Sequence, residues 1–579
     1  MNNLALYVHF SKLSRLKKFE KYNLLALKED FKIVLISNST LEKESIEWLA
    51  TNNIDLILRE NNGFDIGAFV EYFRNLKEPL NNYNHILLTN NSYYGPIHKL
   101  EKPHVLLDGK DLFGWYLHPS SSSFSQHLQS YFLLFGPNII KSNALLNFFS
   151  DLKIPSTFEE AIQLETQITQ YFIDLGFTIE YRQDYLSQKK LFPNVSLLLP
   201  DFFLRSGVPI IKRKALLLPY SYFLENSFGD HTQAAIRSIR NSAFPADLIF
   251  DDLLDFPQSV TFPHLGHFFI LDKGEDGKKQ NTWVGHKICL ILYCYFEDLC
   301  EQNFRIIDTF LSLTAKVLVV SSKDSLIEIY KNKYGGQINC EIIKNRGRNE
   351  FAYFVSGKPY IKWADYCCLL HDKKSNSESP AIRGYDWNKY CIDNLVCSKS
   401  YILNVLQKFQ EHPEIGLLFP PPPSFSKWKN VQNCVWENGN NVKWANKLYE
   451  LMGLKAPMDR YPLVPYGSMF WLRKGALQPL LNLDLKVSFF PQEPLPPDGT
   501  ILHALERLYS LIAQDAGYFS GWIMNKESAE RYLINQYYYT IDSNCNSVEP
   551  GLIISGKLFA KALKRTLKRL KNKLWKKTK

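Results

Sequence analysis

The chain has 579 residues, with 68 Lys+Arg against 58 Asp+Glu for a formal charge of +10, and 45% of its residues are hydrophobic. That length exceeds one hydrophobic core, and the composition excludes a largely disordered, collagenous or small disulfide-stapled protein. The basic excess sits in one place: residues 556–579 hold 11 Lys+Arg and no acid, which leaves 57 basic against 58 acidic residues elsewhere. The body is therefore near neutral and has no charge-based reason to bind nucleic acid.

In chain order, residues 4–10 (LALYVHF) read as a strand. No basic region, apolar core and cleavage site precede it, so no signal peptide is expected. A polar, helix-permitting stretch leads to a second strand, 32–37 (KIVLIS), which ends in Asn38-Ser39. A short strand, 56–58, runs into the turn Asn62-Gly63-Phe64-Asp65-Ile66-Gly67. An apolar strand from His85 ends in Thr89-Asn90-Asn91-Ser92. After 129–135 (QSYFLLF), a helix-like stretch carries Glu165, 11 residues before Gly176.

The second half repeats this order. Strands 287–296 (KICLILYCYF) and 315–321 (AKVLVVS) flank a helical stretch. Residues 343–353, with Arg346-Gly347-Arg348, match 59–69. The strand from Tyr366 ends in His371-Asp372-Lys373-Lys374-Ser375, and residues 467–473 match 129–135. Glu506 stands 11 residues before Gly517. Self-similarity in the same order reads as two copies of one domain, 1–215 and 286–545. Segment 216–285 is a bridge or the edge of either domain, and 546–579 is a tail. Strand, helix, strand with a polar carboxyl end opens a doubly wound α/β sheet, whose nucleotide ligands sit beyond the strand ends.

The ten cysteines lie between Cys289 and Cys545 without metal-ligand spacing, as expected of reduced, mostly buried thiols in a cytosolic protein. No run of 18 apolar residues suggests a transmembrane helix. In the tail, Leu558, Phe559, Ala562, Leu563, Thr566, Leu567, Leu570, Leu574 and Trp575 recur mostly three and four apart. The expected element is a basic amphipathic helix suited to an anionic membrane surface, a solvated helix being the plainer reading.

The turn residues Gly63, Asp65 and Asn62, with Arg59 before them, suit donor binding: glycine admits close backbone approach, Asp65 accepts from a sugar or base, and Arg59 offsets phosphate charge. Arg346 and Gly347 hold the matching place in the second copy. Asn90, Asn91 and Asp372 lie where sugar-nucleotide enzymes carry carboxylates for Mg²⁺ or Mn²⁺. Asp372 is the candidate metal acid, while Lys373 and Lys374 would neutralise a diphosphate without a metal, so both routes stay open. Glu165 and Glu506 are the candidate general bases, each weighed against a plain surface-helix glutamate; Asp498 and His503 compete with Glu506. No Gly-x-x-x-x-Gly-Lys-Ser/Thr, Gly-x-Ser-x-Gly or His-Glu-x-x-His motif is present, which counts against kinases, such hydrolases and zincins.

These stretches resemble the rhamnan synthesis protein F family of bacterial polysaccharide glycosyltransferases. The resemblance is carried by 6–10, 59–69, Asn90-Asn-Ser-Tyr-Tyr-Gly-Pro96, 345–348, 370–375, Tyr466-Gly-Ser-Met-Phe-Trp471, 493–500, His503-Ala-Leu-Glu-Arg507 and 513–518. It implies two tandem glycosyltransferase-A-like (Rossmann-like) α/β domains that transfer a sugar, often L-rhamnose from dTDP-rhamnose, to a lipid-linked glycan of a polysaccharide or lipopolysaccharide. It also implies a peripheral place at the inner face of the bacterial plasma membrane, beside other glycan-assembly enzymes. Against the family pattern, Asn91 stands where Asp is usual and Asn349-Glu350-Phe351 where Asp-Val-Gly is usual. The first departure counts against a metal in the first copy, and the second against donor binding in the second. The alternatives are a non-catalytic scaffold or glycan-binding protein of an assembly complex, and an enzyme that modifies nucleotide sugars without transfer.

Overall fold

The computed structural model describes residues 2–118, 125–182, 194–274, 285–372, 382–425, 431 and 435–545; Lys373, Lys374 and the tail from 546 lie outside the described residues. The chain forms two compact units. The first comprises Met1–His267, Leu454–Leu463 and Leu511–Ser520, and the second Phe268–Gly453, Val464–Ser510 and Gly521–Lys579.

The sheet of the first unit contains β1 (Asn3–His9), β2 (Lys32–Ser37), β3 (Asp55–Leu58), β4 (His85–Asn90), β5 (Leu112–Gly114), β6 (Phe132–Phe135) and β7 (Ile179–Tyr181). Their lateral order is β3-β2-β1-β4-β6-β5-β7. β1 pairs in parallel with β2 and β4, whereas β6 runs antiparallel to both of its neighbours. β1 is an unbroken apolar run because it is buried on both faces. Ala5 and Tyr7 join one core while Leu4, Leu6 and Val8 join the other, as alternation along a strand requires.

In the second unit the strands are β8 (Phe268–Leu271), β9 (Ile288–Cys294), β10 (Lys316–Ser321), β11 (Asn339–Ile342), β12 (Tyr366–His371), β13 (Ile415–Phe419), β14 (Phe470–Arg473) and β15 (Phe519–Asn525). Their order is β11-β10-β9-β12-β14-β13-β15, with β8 added at the β15 edge. β14 is again antiparallel to its neighbours β12 and β13. Counted in chain order from β1 and from β9, the two sheets share the order 3-2-1-4-6-5-7, sixth strand reversed. The protein is thus mixed α/β with two parallel-rich sheets.

Residues beyond 215 pack into the first unit. Asp252, fully buried on the helix Asp247–Leu253, accepts from Arg213 Nε and Nη2 at 2.9 and 3.0 Å and from the Tyr94 hydroxyl at 2.6 Å. Lys17 Nζ lies 3.6 Å away. A charge buried this way is tolerated only because several donors surround it. The apolar floor of the contact includes Phe19, Ile236, Ile249 and Leu253.

The eight cysteines from Cys289 to Cys397 are free thiols, six of them buried. Among the described residues, no helix is long and apolar enough to cross a membrane.

Candidate functional site

In each unit the polar groups of interest collect at the carboxyl ends of the parallel strands. In the first, helix α1 (Phe64–Arg74) starts from Gly63, whose φ is +77°. A side chain on Gly63 would meet Ile154 at 2.4 Å, and one on Gly67 would meet the Asn62 carbonyl at 2.1 Å. Both glycines are therefore required by packing of the turn itself.

Arg59 locks the same turn. Its guanidinium donates to both Glu71 oxygens at 2.8 and 2.6 Å, to Asn38 Oδ1 at 2.6 Å and to the Asn62 carbonyl at 2.6 Å. The carbonyl of Asn62 thus serves the turn, while the residue itself is exposed. Asn91 is also engaged: its amide donates to the Phe10 carbonyl at 2.9 Å and to the buried Glu20 at 2.8 Å. Burial raises the Glu20 carboxyl, but His9, the Lys17 N–H and Arg213 outweigh it and hold it below its ordinary value.

Asp65 and Glu165 meet here. Asp65 lies in the first turn of α1, and its Oδ2 accepts from Asn90 Nδ2 at 2.6 Å. Loss of water raises its carboxyl to about 6; the Asn90 bond and the Lys212 ammonium oppose that rise, and Glu165 adds to it. Glu165 lies on α2 (Phe158–Asp174), whose start is capped by Thr157 accepting from the Glu160 N–H. Its Oε1 accepts from the Ser130 N–H at 2.7 Å, just before β6. Both acids are acted on by Lys212, which lies outside every repeated block and which the sequence reading did not single out. It pairs with Tyr93 in the short ladder of Ile211–Lys212 with Tyr93–Tyr94. Its Nζ lies 4.3 Å from the centre of the Tyr131 ring. Burial lowers this ammonium to about 8.

The second unit repeats the plan with different residues. Gly347, φ +78°, starts α3 (Arg348–Phe351), and a side chain on it would strike the Phe490 ring at 2.6 Å. Arg346 Nε donates to the Phe490 carbonyl at 2.5 Å, and Arg348 grips Glu493 at 2.6 and 3.1 Å. Glu506, on α4 (Ile501–Asp515), accepts from the Gly467 N–H at 2.6 Å just before β14, as Glu165 does from Ser130. Glu350, one place beyond the position matching Asp65, supplies the second acid. It is 4% exposed, and burial with the nearby Glu506 raises its carboxyl to about 7. The reading of 349–351 as a plain loss of the turn acid therefore missed this carboxylate. The only sequence signal was its nearness to Gly347.

Asp372 closes the end of β12. Its carboxylate accepts from the Tyr295 N–H at 2.9 and 2.8 Å and from the Phe296 N–H at 3.0 Å. Burial lifts it to about 6 against those bonds. Asn91 N donates to Val8 O as Asp372 N donates to Tyr293 O, so Asn91 rather than Asn90 is its counterpart. Asp498 is anchored by Asn441 at 3.0 Å and Arg507 at 3.2 Å, and His503, lowered by burial, accepts from the Thr500 N–H at 3.3 Å.

At Asn90, Asn91 and Asp372, the positions expected to hold a divalent ion, the groups present do not fit one. Asn90 and Asn91 carry no charge and already hold partners. The Asp372 oxygens face the backbone N–H groups of Tyr295 and Phe296.

Two proteins of Xanthomonas campestris pv. campestris strains, each described as uncharacterized protein WxcX, are 26% identical over 233 residues, 40% of this chain and 32% of theirs. The match thus spans about a third of the length of these curated relatives. Among solved structures, the apo form of the glycosyltransferase GlyE of Streptococcus pneumoniae TIGR4 aligns at 12% identity and a TM-score of 0.24, covering 71% of this chain and 99% of that one. The family model for rhamnan synthesis protein F matches residues 33–518, a span that contains both acid pairs, and the chain belongs to that family.

Proposed function

We propose that the protein is a glycosyltransferase that moves a sugar from a nucleotide sugar to a growing cell-surface polysaccharide or lipopolysaccharide glycan. Family membership supports the reaction class. The observation that carries the reading is the repeated placement of a helix glutamate, Glu165 or Glu506, against a backbone N–H at the strand ends beside a second acid. A carboxylate so held suits a general base that takes the proton of an acceptor hydroxyl as its oxygen attacks the anomeric carbon. Direct displacement of the nucleoside diphosphate would invert that centre. dTDP-rhamnose is the favoured donor on family grounds, and a lipid-linked glycan at the inner membrane face is the favoured acceptor. Both sheets have the strand order suited to tandem glycosyltransferase-A-like domains, with ligands beyond the carboxyl ends.

A scaffold role is favoured by one set of contacts. Arg59, Asn91 and Arg346, candidates for donor binding, and Asp372, the candidate metal acid, spend their polar groups on internal bonds.

The two readings separate in a screen of dTDP-, UDP- and GDP-sugars with and without Mn²⁺. Turnover of one donor with transfer to a glycan supports the enzyme. Failure of every donor to raise the melting temperature at millimolar concentration, with no turnover, leaves the scaffold.

A further inference from the structure

We propose that Lys212 is the built-in counter-cation of the Asp65–Glu165 carboxylate pair, a positioning residue that supplies in the first unit the positive charge a divalent metal would otherwise bring. Placement supports this. Lys212 is delivered to the β4 end by its ladder with Tyr93, three residues beyond Asn90, the partner of Asp65. Its Nζ stands 4.3 Å over the Tyr131 ring, and the residue before Tyr131 is Ser130, whose N–H holds Glu165. The ring shields one side of the ammonium from water and contributes a cation–π attraction, so the charge is held at a fixed place. Among the described residues Lys212 makes no direct ion pair.

The electrostatics agree with that placement. Burial pulls the Lys212 ammonium down, Glu165 and Asp65 hold it up, and Lys214 pushes it down again. In return the Lys212 charge lowers the Asp65 carboxyl against burial and Glu165. Tyr131 and its ring neighbour Tyr93 are further titratable groups against the cluster; burial raises both hydroxyls, and Tyr116, Glu165 and Tyr93 add to the rise at Tyr131. Two acids and one fixed ammonium carry less net repulsion than two acids alone, which lets both carboxylates persist in a partly dry site.

The coupling is measured without any turnover. Reductive methylation of full-length protein across pH, read at Lys212 by mass spectrometry, is expected to have its wild-type midpoint below that of an ordinary lysine, at about pH 8. Glu165→Gln keeps an acceptor for the Ser130 N–H but removes the negative charge, and is expected to lower that midpoint by about 1 pH unit. Asp65→Asn is expected to lower it by less. An unchanged midpoint in both folded variants overturns the proposal. The functional part rests on the transferase reading. There, Lys212→Met is expected to lose transfer that Lys212→Arg retains, with wild-type transfer unaffected by EDTA. Absence of transfer in the wild type would overturn the transferase reading and leave the Lys212 coupling standing on its labelling result. Complete loss of wild-type transfer in EDTA, or full transfer by Lys212→Met, overturns the counter-cation role itself.

Discussion

Asn90 donates its side-chain amide to Asp65 at 2.6 Å, joining the end of β4 to the first turn of α1. The bond matters most when Asp65 is charged, because an ionised acceptor makes the stronger bond. Asn90→Ala is expected to cost about 2 kcal/mol at pH 8 and less at pH 5, where Asp65, at about 6, carries its own proton. Urea unfolding at the two pH values reads the difference. Equal losses would remove Asp65 as the partner that matters.

Glu350 has the opposite sign from a paired carboxylate. Its folded value of about 7 lies above the ordinary 4.5, so its charge weakens the fold above pH 7 and the penalty fades as pH falls through 7 towards 4.5. Glu350→Gln should therefore stabilise the protein at pH 8, by at most about 3 kcal/mol, and do nothing at pH 4.5. A variant equally stable relative to wild type at both pH values would contradict this.

Glu165→Gln and Glu506→Gln keep an oxygen for the Ser130 and Gly467 N–H groups, so both are expected to fold. If both units transfer sugar, each substitution removes one activity by about 10²- to 10⁴-fold and spares the other. If one unit works, only its own substitution silences the protein. Initial rates of transfer, measured on each variant and on the pair, decide between the two. Full activity in both would dismiss these glutamates as bases.

Asp252→Ala would leave Arg213 and Tyr94 facing an empty acceptor in the first unit, while Lys17 keeps Asp255. Stranding buried donors and charges in this way typically costs about 3–5 kcal/mol. The variant should melt well below wild type by circular dichroism, and a shift under 2 °C would show that water reaches the cluster.

Deletion of 556–579 removes 11 basic residues. Each basic side chain near an anionic leaflet contributes about 1 kcal/mol, so sedimentation with phosphatidylserine vesicles should be lost while nucleotide-sugar binding is retained. Retained sedimentation would put the membrane contact elsewhere.

Local pattern was enough for much of the framework. Strands at 4–10, 32–37 and 315–321 coincide with β1, β2 and β10 to within a residue at either end, because central parallel strands buried on both faces read as short apolar runs. The glycine turns were legible as well, since positive φ leaves glycine as the preferred residue at 63 and 347. Reading the surrounding side chains one by one went less far. Arg59 reads as a phosphate ligand in one dimension, yet Glu71, twelve residues on, claims it through the turn of α1.

Tertiary structure alone decided which charges meet. Lys212 stands 47 positions after Glu165 and carries no motif, and it reaches the acid pair only because a two-residue ladder sets it against Tyr93. Glu350 looked like a broken repeat until burial placed it beside Glu506. Periodicity and turn chemistry are local properties and survive in a string of letters. The field at a carboxylate depends on desolvation and on neighbours distant in sequence, and those exist only once the sheet has formed.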